Sequence, residues 1–230
     1  ESMKNPISQN ADLYIMTSEI YEKKGNEAKW TETMQAAKAK YPNDKRIINN
    51  EINYYLRYPE KAQEAINKLK EGIAADPKKI DLHIILGQTY YNLANPTDAN
   101  GRAKAKPANA KELEQNAMAS YTKATELDGN NPYPQFYLGL MHYNQAKEIT
   151  DEMNKADDKK YATMKPNRDA LLVKCLPYLE KAKSLVEAEK VNDGNKDMYL
   201  QVLTGLYQTY NINNNTAKAS EIQEIMKKYK

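Results

Sequence analysis

The chain contains the stretch Leu86-Gly87-Gln88-Thr89-Tyr90, which decides its fold. Small residues follow at Ala117 and Ala124, and then comes the turn sequence Glu126-Leu127-Asp128-Gly129-Asn130-Asn131-Pro132. Gly, Asn and Pro typically interrupt helices and form turns. A Leu-Gly pair on one helix and small residues on the next allow two helices to cross closely. The stretch therefore predicts a packed pair of helices that ends in a turn.

The pattern of this helix pair recurs along the chain. Ala65 and Ala117 are separated by 52 residues, and so are Leu86 and Leu138. That spacing equals one period of about 34 residues plus an insertion of about 18. Successive units end at turn residues, which are Pro42, Pro77 and Gly129. The predicted repeats occupy residues 11–45, 46–79, 80–131, 132–190 and 197–230.

A unit with Leu-Gly and Tyr on its first helix and small residues on its second resembles the tetratricopeptide repeat (TPR). The resemblance implies an all-α, right-handed α-α superhelix of about five helix-turn-helix repeats, forming a single solenoid domain over residues 1–230. Repeat one is degenerate, because Thr17-Ser18 stand where Leu-Gly belongs. TPR solenoids usually bind other polypeptides on their concave face, so we expect a scaffold for protein partners.

Several residues are assigned to helix packing rather than to chemistry. We expect Gly87, Gly139, Ala65 and Ala117 at close helix crossings, where larger side chains would force the helices apart. Cys175 is the only cysteine, so it cannot form an intrachain disulfide, and its position predicts a small buried hydrophobe.

Two insertions depart from the simple repeat. In repeat three, Asn95-Pro96 and the basic residues up to Lys111 predict a long loop that is either mobile or a clamp for an acidic or phosphate-rich partner. In repeat four, the first helix is predicted to continue through Met153 and the second to begin near Asn167, with a kink at Pro177. These long helices predict an extended helical hairpin.

The tip of that hairpin is predicted to contain Lys159-Lys160 and Met164-Lys165-Pro166, with Pro166 marking helix entry. Ile149, Met153, Leu171 and Leu172 are predicted to pack inside the hairpin. In the alternative they form an outer apolar stripe through which the chain associates with itself.

Composition and motifs argue against several classes of function. The net charge of +3 and the mean hydropathy of -0.89 predict no nucleic-acid partner and no membrane insertion. His83 and His142, the only histidines, belong to separate repeats, and neither a phosphate-binding loop nor a His-Glu-x-x-His motif occurs. We therefore expect no enzymatic activity, no metal and no cofactor.

A narrower resemblance covers roughly residues 80 to 230. It rests on the segments Phe136-Tyr137-Leu138-Gly139-Leu140-Met141-His142-Tyr143-Asn144 and Cys175-Leu176-Pro177-Tyr178-Leu179-Glu180-Lys181-Ala182, and on the final pair from Leu203 to Ile225. These resemble TPR proteins exported to the bacterial envelope, whose function is unassigned. The resemblance implies a periplasmic or envelope location after removal of a signal peptide, with the cytoplasm as the alternative.

Exposed positions on the first helices of TPR units line their groove, and carrying those positions over gives the candidate binding residues. They are Asn50, Tyr54, Arg57, Tyr58, Gln88, Tyr91, Asn92, Tyr133, Phe136, Tyr143 and Asn144, with Ile84 and Leu140 beside them. Tyrosine rings and amides suit the capture of an extended peptide or a helix. In the alternative, some of the 18 tyrosines fall there by chance. The expected partner is a protein or peptide of unknown identity, and a homo-oligomer is the architectural alternative.

Overall fold

The structure, a computed structural model, describes residues 11–42, 44–98 and 100–229, and these residues form ten α-helices and no β-strand of more than one bridge. The helices are α1 (Ala11–Lys23), α2 (Glu27–Lys40), α3 (Lys45–Arg57), α4 (Ala62–Ala75), α5 (Ile80–Ala94), α6 (Ala110–Leu127), α7 (Pro132–Met153), α8 (Asp158–Glu189), α9 (Lys196–Ile212) and α10 (Thr216–Lys227). The predicted all-α class is confirmed, and so are the long loop of repeat three and the extended hairpin of repeat four. None of the described helices is both long and apolar enough to cross a membrane.

Polar residues in the turns begin many of these helices. The side-chain oxygens of Asn26, Asp44, Asn131, Asp157 and Asn215 each accept a hydrogen bond from a backbone N–H in the first turn, at 2.8–3.2 Å. Such caps satisfy backbone donors that have no partner within the helix. The Asn and Asp residues between the apolar segments therefore fix where α2, α3, α7, α8 and α10 start.

The chain divides into two compact units, unit 1 (Glu1–Leu82) and unit 2 (His83–Lys230). In unit 1, the indole of Trp30 stacks on the ring of Tyr54 with 3.6 Å between centroids and 17° between planes. Met34 and Ile47 are almost completely buried in the same core. An aromatic pair thus forms the centre of unit 1. The single solenoid domain over residues 1–230 stays a prediction.

In unit 2, small residues allow close helix contacts, as predicted. A Cβ atom added at Gly139 on α7 would lie 2.6 Å from Cδ2 of Leu179 on α8. One added at Gly87 on α5 would lie 2.9 Å from the ring of Tyr121 on α6. Such distances leave no room for a larger side chain, so these glycines set the spacing of their helix pairs.

The extended hairpin of unit 2 differs from the prediction at its tip. Helix α8 begins at Asp158, not near Asn167, so Pro166 lies inside the helix and does not mark its entry. The Asp157 carboxylate accepts a hydrogen bond from the Lys160 backbone N–H at 2.8 Å, and this cap starts the helix earlier. Pro166 only removes one helical hydrogen bond, which the long helix tolerates.

The interior of the hairpin agrees with the packing prediction. Met153 and Leu172 are 2% and 0% exposed, while Ile149 and Leu171 are half-buried. These four residues therefore do not form an exposed apolar stripe on the outside of the hairpin. The kink expected at Pro177 stays a prediction.

The long loop between α5 and α6 contains an isolated antiparallel bridge between Thr97 and Ala103. The Asp98 carboxylate accepts hydrogen bonds from two backbone N–H groups of the loop, at 2.8 and 2.9 Å. The Lys106 ammonium donates to Glu114 on α6 at 2.8 Å and to Glu148 on α7 at 2.5 Å. Because Lys106 is already paired with two carboxylates, it is not a free cation for an acidic partner.

Candidate functional site

The candidate residues of unit 1 lie on and just after α3, and most are engaged within the unit. The ring of Tyr54 is 4% exposed and packs in the core against Trp30, so it does not line an open groove. The Arg57 guanidinium forms a two-point ion pair with Glu22, at 2.7 and 2.6 Å. The Asn50 side-chain oxygen is also occupied, because it accepts a hydrogen bond from the Ser18 hydroxyl at 3.0 Å.

A lysine covers the remaining aromatic face of unit 1. The Lys61 ammonium lies 5.0 Å from the centroid of the Tyr54 ring and 5.5 Å from that of Tyr58. It also donates to the Tyr54 hydroxyl at 3.3 Å and to Glu27. Tyr58 is half-buried beneath it. The aromatic side chains of this region thus have their contact partners within unit 1.

In unit 2, the candidates on α5 and α7 come together. The Asn144 side-chain amide donates to the Tyr91 hydroxyl at 3.1 Å. Burial raises the pKa of the Tyr91 hydroxyl, so the group stays protonated around neutral pH, while the Asn144 bond opposes that shift. The Gln88 amide donates to Asn92 at 2.7 Å. The first of these contacts joins predicted residues of two first helices, and the second lies within α5.

The structure adds a residue that sequence reasoning missed. The Tyr143 hydroxyl donates a hydrogen bond to the side-chain oxygen of Gln208 on α9. No groove residue was predicted in repeat five. The sequence feature that pointed to repeat five was Gly205. A Cβ added there would lie 2.8 Å from Cδ1 of Leu179, the same side chain that limits the space at Gly139.

Tyr137 was also missed, and its ring lies among the rings of α5 and α6. Its ring stacks on Tyr121 with 4.8 Å between centroids and lies 6.1 Å from the ring of Tyr91. Burial raises the pKa of Tyr137 as it does that of Tyr91. The rings fix the α5, α6 and α7 side chains relative to one another.

The remaining candidates of unit 2 are divided between core and solvent. Phe136 is 4% exposed and belongs to the core, so the prediction that it lines an open groove is corrected by its packing against Tyr137. Tyr133 and Asn92 are exposed. We use the name amide-tyrosine surface for the set Gln88, Tyr91, Tyr143, Asn144 and Gln208.

Groups that could hold a metal ion do not converge in the described part of the chain. Among residues 11–42, 44–98 and 100–229, no group of three or more His, Cys, Asp or Glu side chains could hold a metal ion. Cys175 is fully buried, as predicted, with its sulfur 3.8 Å from the Thr209 hydroxyl. Burial raises the pKa of the Cys175 thiol to about 12, which keeps it protonated and unreactive.

Comparisons with known proteins give likenesses of structure. No protein-family model matches the chain, and no curated protein sequence matches it significantly. One similar solved structure is a protein of Bacteroides ovatus ATCC 8483 whose name describes it as a protein that binds other proteins. It is 13% identical to this chain, and the match has a TM-score of 0.44 and covers 87% of this chain and 100% of that one.

Two further solved structures are similar. PilW, described as a widely conserved type IV pilus biogenesis factor, is 14% identical, with a TM-score of 0.36 over 96% of this chain and 93% of its own. Human IFIT1, solved as a dimer with PPP-AAAA, is 16% identical, with a TM-score of 0.39 over 94% of this chain and 54% of its own. These likenesses assign no partner and no activity to this chain.

Proposed function

We propose that the protein is a non-catalytic scaffold that binds an extended segment of a partner protein across the amide-tyrosine surface. The observation that carries the proposal is the row of paired groups on three first helices: Tyr91 with Asn144 between α5 and α7, and Tyr143 with Gln208 between α7 and α9. Amide groups can pair with a peptide backbone, and tyrosine rings offer apolar area at low entropic cost.

The mutual hydrogen bonds of the surface favour binding because they restrain the side chains before a partner arrives. Tyr91 and Asn144 each hold the other in one orientation, and Tyr143 and Gln208 do the same. Ordering free side chains opposes association by about 0.5–1.5 kcal/mol for each one. A surface ordered in advance avoids much of that cost.

A cellular location in the bacterial envelope is part of the proposal. It is supported by the resemblance of the segments 136–144 and 175–182 to exported TPR proteins. The cytoplasm is the competing location. Fractionation of the source cells, with an antibody against this chain and a cytoplasmic marker enzyme, tests the location. Recovery with the marker enzyme would contradict the envelope proposal.

The binding proposal is tested by selecting peptides from a random displayed library on the immobilised protein and measuring their affinity for two paired variants. Asn144→Ala with Gln208→Ala removes the amides of the surface. The matched control, Asn154→Ala with Gln223→Ala, removes two exposed amides elsewhere in unit 2. We expect selected peptides to bind the first variant at least tenfold more weakly and the control within twofold of the parent.

The architectural alternative makes a different prediction in the same experiment. Equal binding of selected peptides to both variants would contradict the proposed surface. Sedimentation velocity over a range of concentrations tests for self-association. A dimer that is lost in the Asn144→Ala, Gln208→Ala variant alone would instead assign the surface to an interface between two copies of this chain.

A further inference from the structure

We propose that a second face, on the extended hairpin, binds an acidic segment of a partner protein whose carboxylates lie about 10 Å apart. This face uses none of the residues of the amide-tyrosine surface and so goes beyond the proposed function. It is an open depression between α7 and α8 in unit 2. We use the name lysine face for its lining residues, which are Gln135, His142, Lys174, Pro177, Tyr178 and Lys181.

The lysines of the lysine face have no carboxylate within ion-pair distance among the described residues. None of its lining residues is acidic, and neither Lys174 nor Lys181 forms an ion pair with another described residue. Lys183 of the same helix, by contrast, is paired with Glu187 at 3.0 Å. Two unpaired ammonium groups over one depression create a positive potential that favours an anionic ligand.

The nearest carboxylate in the sequence is engaged on another side of α8. Glu180 accepts hydrogen bonds from the Tyr210 hydroxyl and, at 3.2 Å, from the Lys218 ammonium. These two donors belong to α9 and α10, and they hold the carboxylate away from the lysine face. Lys181 can therefore pair with a ligand, although Glu180 directly precedes it in the sequence.

The spacing of the two lysines sets the spacing of the carboxylates in the ligand. Lys174 and Lys181 are seven residues apart on α8, so they lie on one face of the helix and about 10.5 Å apart along its axis. Between them, exposed Pro177 and the half-buried ring of Tyr178 offer apolar surface. A ligand that satisfies both lysines has two carboxylates at this distance and an apolar link between them.

The backbone next to this apolar surface offers a hydrogen-bond acceptor. Pro177 has no N–H, so the Val173 carbonyl one turn earlier lacks its usual helical donor. The Val173 side chain is 65% exposed, which shows that the helix is open to solvent here. A backbone N–H is the group that a peptide ligand could donate to that carbonyl. A peptide therefore matches the lysine face better than a simple anion does.

The imidazole of His142 forms part of the floor. Its ring stacks on Tyr178 with 5.9 Å between centroids, and its buried Nδ1 has no hydrogen-bond partner. Burial, and then the charge of Lys174, lower the pKa of His142. The ring is therefore neutral at neutral pH, and the positive charge of the face comes from its lysines.

Peptides of fixed length can measure the carboxylate spacing by itself, because their central prolines have no N–H to donate to the Val173 carbonyl. A polyproline II helix rises about 3.1 Å per residue with three residues per turn, so the glutamates of Glu-Pro-Pro-Glu lie on one side about 9 Å apart. Acetylated and amidated Glu-Pro-Pro-Glu, Glu-Pro-Pro-Gln and a version with five central prolines are titrated into the whole chain at low ionic strength. The ring signals of His142 and His83 are followed by NMR, since only His142 lines the face.

We expect Glu-Pro-Pro-Glu to shift the His142 signals and leave those of His83 in place. It should bind about fivefold more tightly than the peptide with one carboxylate or the longer peptide, because only it reaches both lysines. Lys174→Gln with Lys181→Gln should weaken its binding by about the same factor. The matched control, Lys159→Gln with Lys160→Gln, removes two exposed charges from the same helix and should leave binding unchanged.

Three outcomes would overturn the inference: no shift at His142, equal binding of all three peptides, or equal weakening by the control variant. The Asn144→Ala, Gln208→Ala variant should bind Glu-Pro-Pro-Glu like the parent protein. Loss of selected peptides by that variant and loss of the acidic peptide by the lysine variant are separate results, so either proposal can fail without the other.

Discussion

Tyrosines that were predicted to line the groove have opposite environments in the two units. In unit 1, Tyr54 stacks on Trp30, lies beneath Lys61 and is 4% exposed. In unit 2, Tyr91 and Tyr143 keep part of their surface open and form hydrogen bonds with amides. The difference lies in the neighbours, because unit 1 supplies an indole and an ammonium where unit 2 supplies asparagine and glutamine.

The contrast shows that a groove position in a helical repeat does not by itself make a binding residue. An aromatic ring that finds a flat partner of its own chain becomes part of the core, since stacking adds to the gain from burial. A ring whose hydroxyl is held by an amide keeps a face for another molecule. Unit 2 is accordingly the unit to which both proposals assign binding.

The largest expected effect distinguishes the two tyrosine environments directly. Tyr54→Ala should lower the free energy of unfolding by about 3 kcal/mol or more, because it leaves a cavity beside Trp30. Tyr143→Ala should lower it by about 1 kcal/mol, because that ring is only half-buried. Urea unfolding followed by circular dichroism measures both. Equal losses would show that the two environments do not differ in packing.

A second substitution tests how tightly the helices beneath the open surface are packed. Gly139→Ala should lower the free energy of unfolding by about 1–3 kcal/mol, because the new methyl group overlaps Leu179. Gly129→Ala is the matched control, since the nearest atom to its added Cβ is a carbonyl oxygen at 3.7 Å. If the two variants have the same stability, the close approach of α7 and α8 is not required.

A smaller effect concerns the hydrogen bond between α7 and α9. Tyr143→Phe removes the hydroxyl that Gln208 accepts from, and it should lower the free energy of unfolding by about 0.5 kcal/mol. Tyr161→Phe serves as the control, because that exposed side chain has no hydrogen bond in the structure. A larger loss in the control than in Tyr143→Phe would argue that the surface is not ordered by its own hydrogen bonds.

The smallest expected effect is a pH dependence at the lysine face. The pKa of His142 is lowered below 6.5 by burial and by Lys174. Folding therefore favours the neutral ring, so its stabilising contribution is complete above pH 6.5 and is lost as the pH falls through the lowered pKa. NMR titration of the ring measures this pKa directly.

Lys174→Gln should bring the pKa of His142 part of the way back towards its ordinary value, while Lys159→Gln should leave it unchanged. A ring that titrates at or above pH 6.5 in the parent protein would contradict both the burial of His142 and the placement of Lys174 beside it.

The sequence was sufficient for features that depend on spacing within a repeat. Gly87 and Gly139 were expected at close crossings, and the structure places them there, because only small residues allow such contacts. The predicted start of α8 was wrong, because Pro166 was given more weight than the N-terminal cap that Asp157 provides. Local signals compete at a helix boundary, and the strongest residue type does not always decide it.

The candidate surface was less predictable because it depends on contacts between repeats. Gln208 and Tyr137 could not be recognised from one repeat at a time, since their roles come from partners on other helices. Phe136 was placed in the groove by its repeat position, yet its apolar ring is buried in the core of unit 2. Which face a side chain finally presents is fixed by tertiary neighbours.

The indole of Trp30 gives the molecule a spectroscopic probe of one unit alone. It is the only tryptophan in the chain and is 2% exposed within unit 1. The change in its fluorescence therefore follows the unfolding of unit 1, whereas the far-ultraviolet circular dichroism signal follows the loss of helix in both units. Coincident transitions would mean that the units unfold as one cooperative block, and separated transitions would give each unit its own melting temperature.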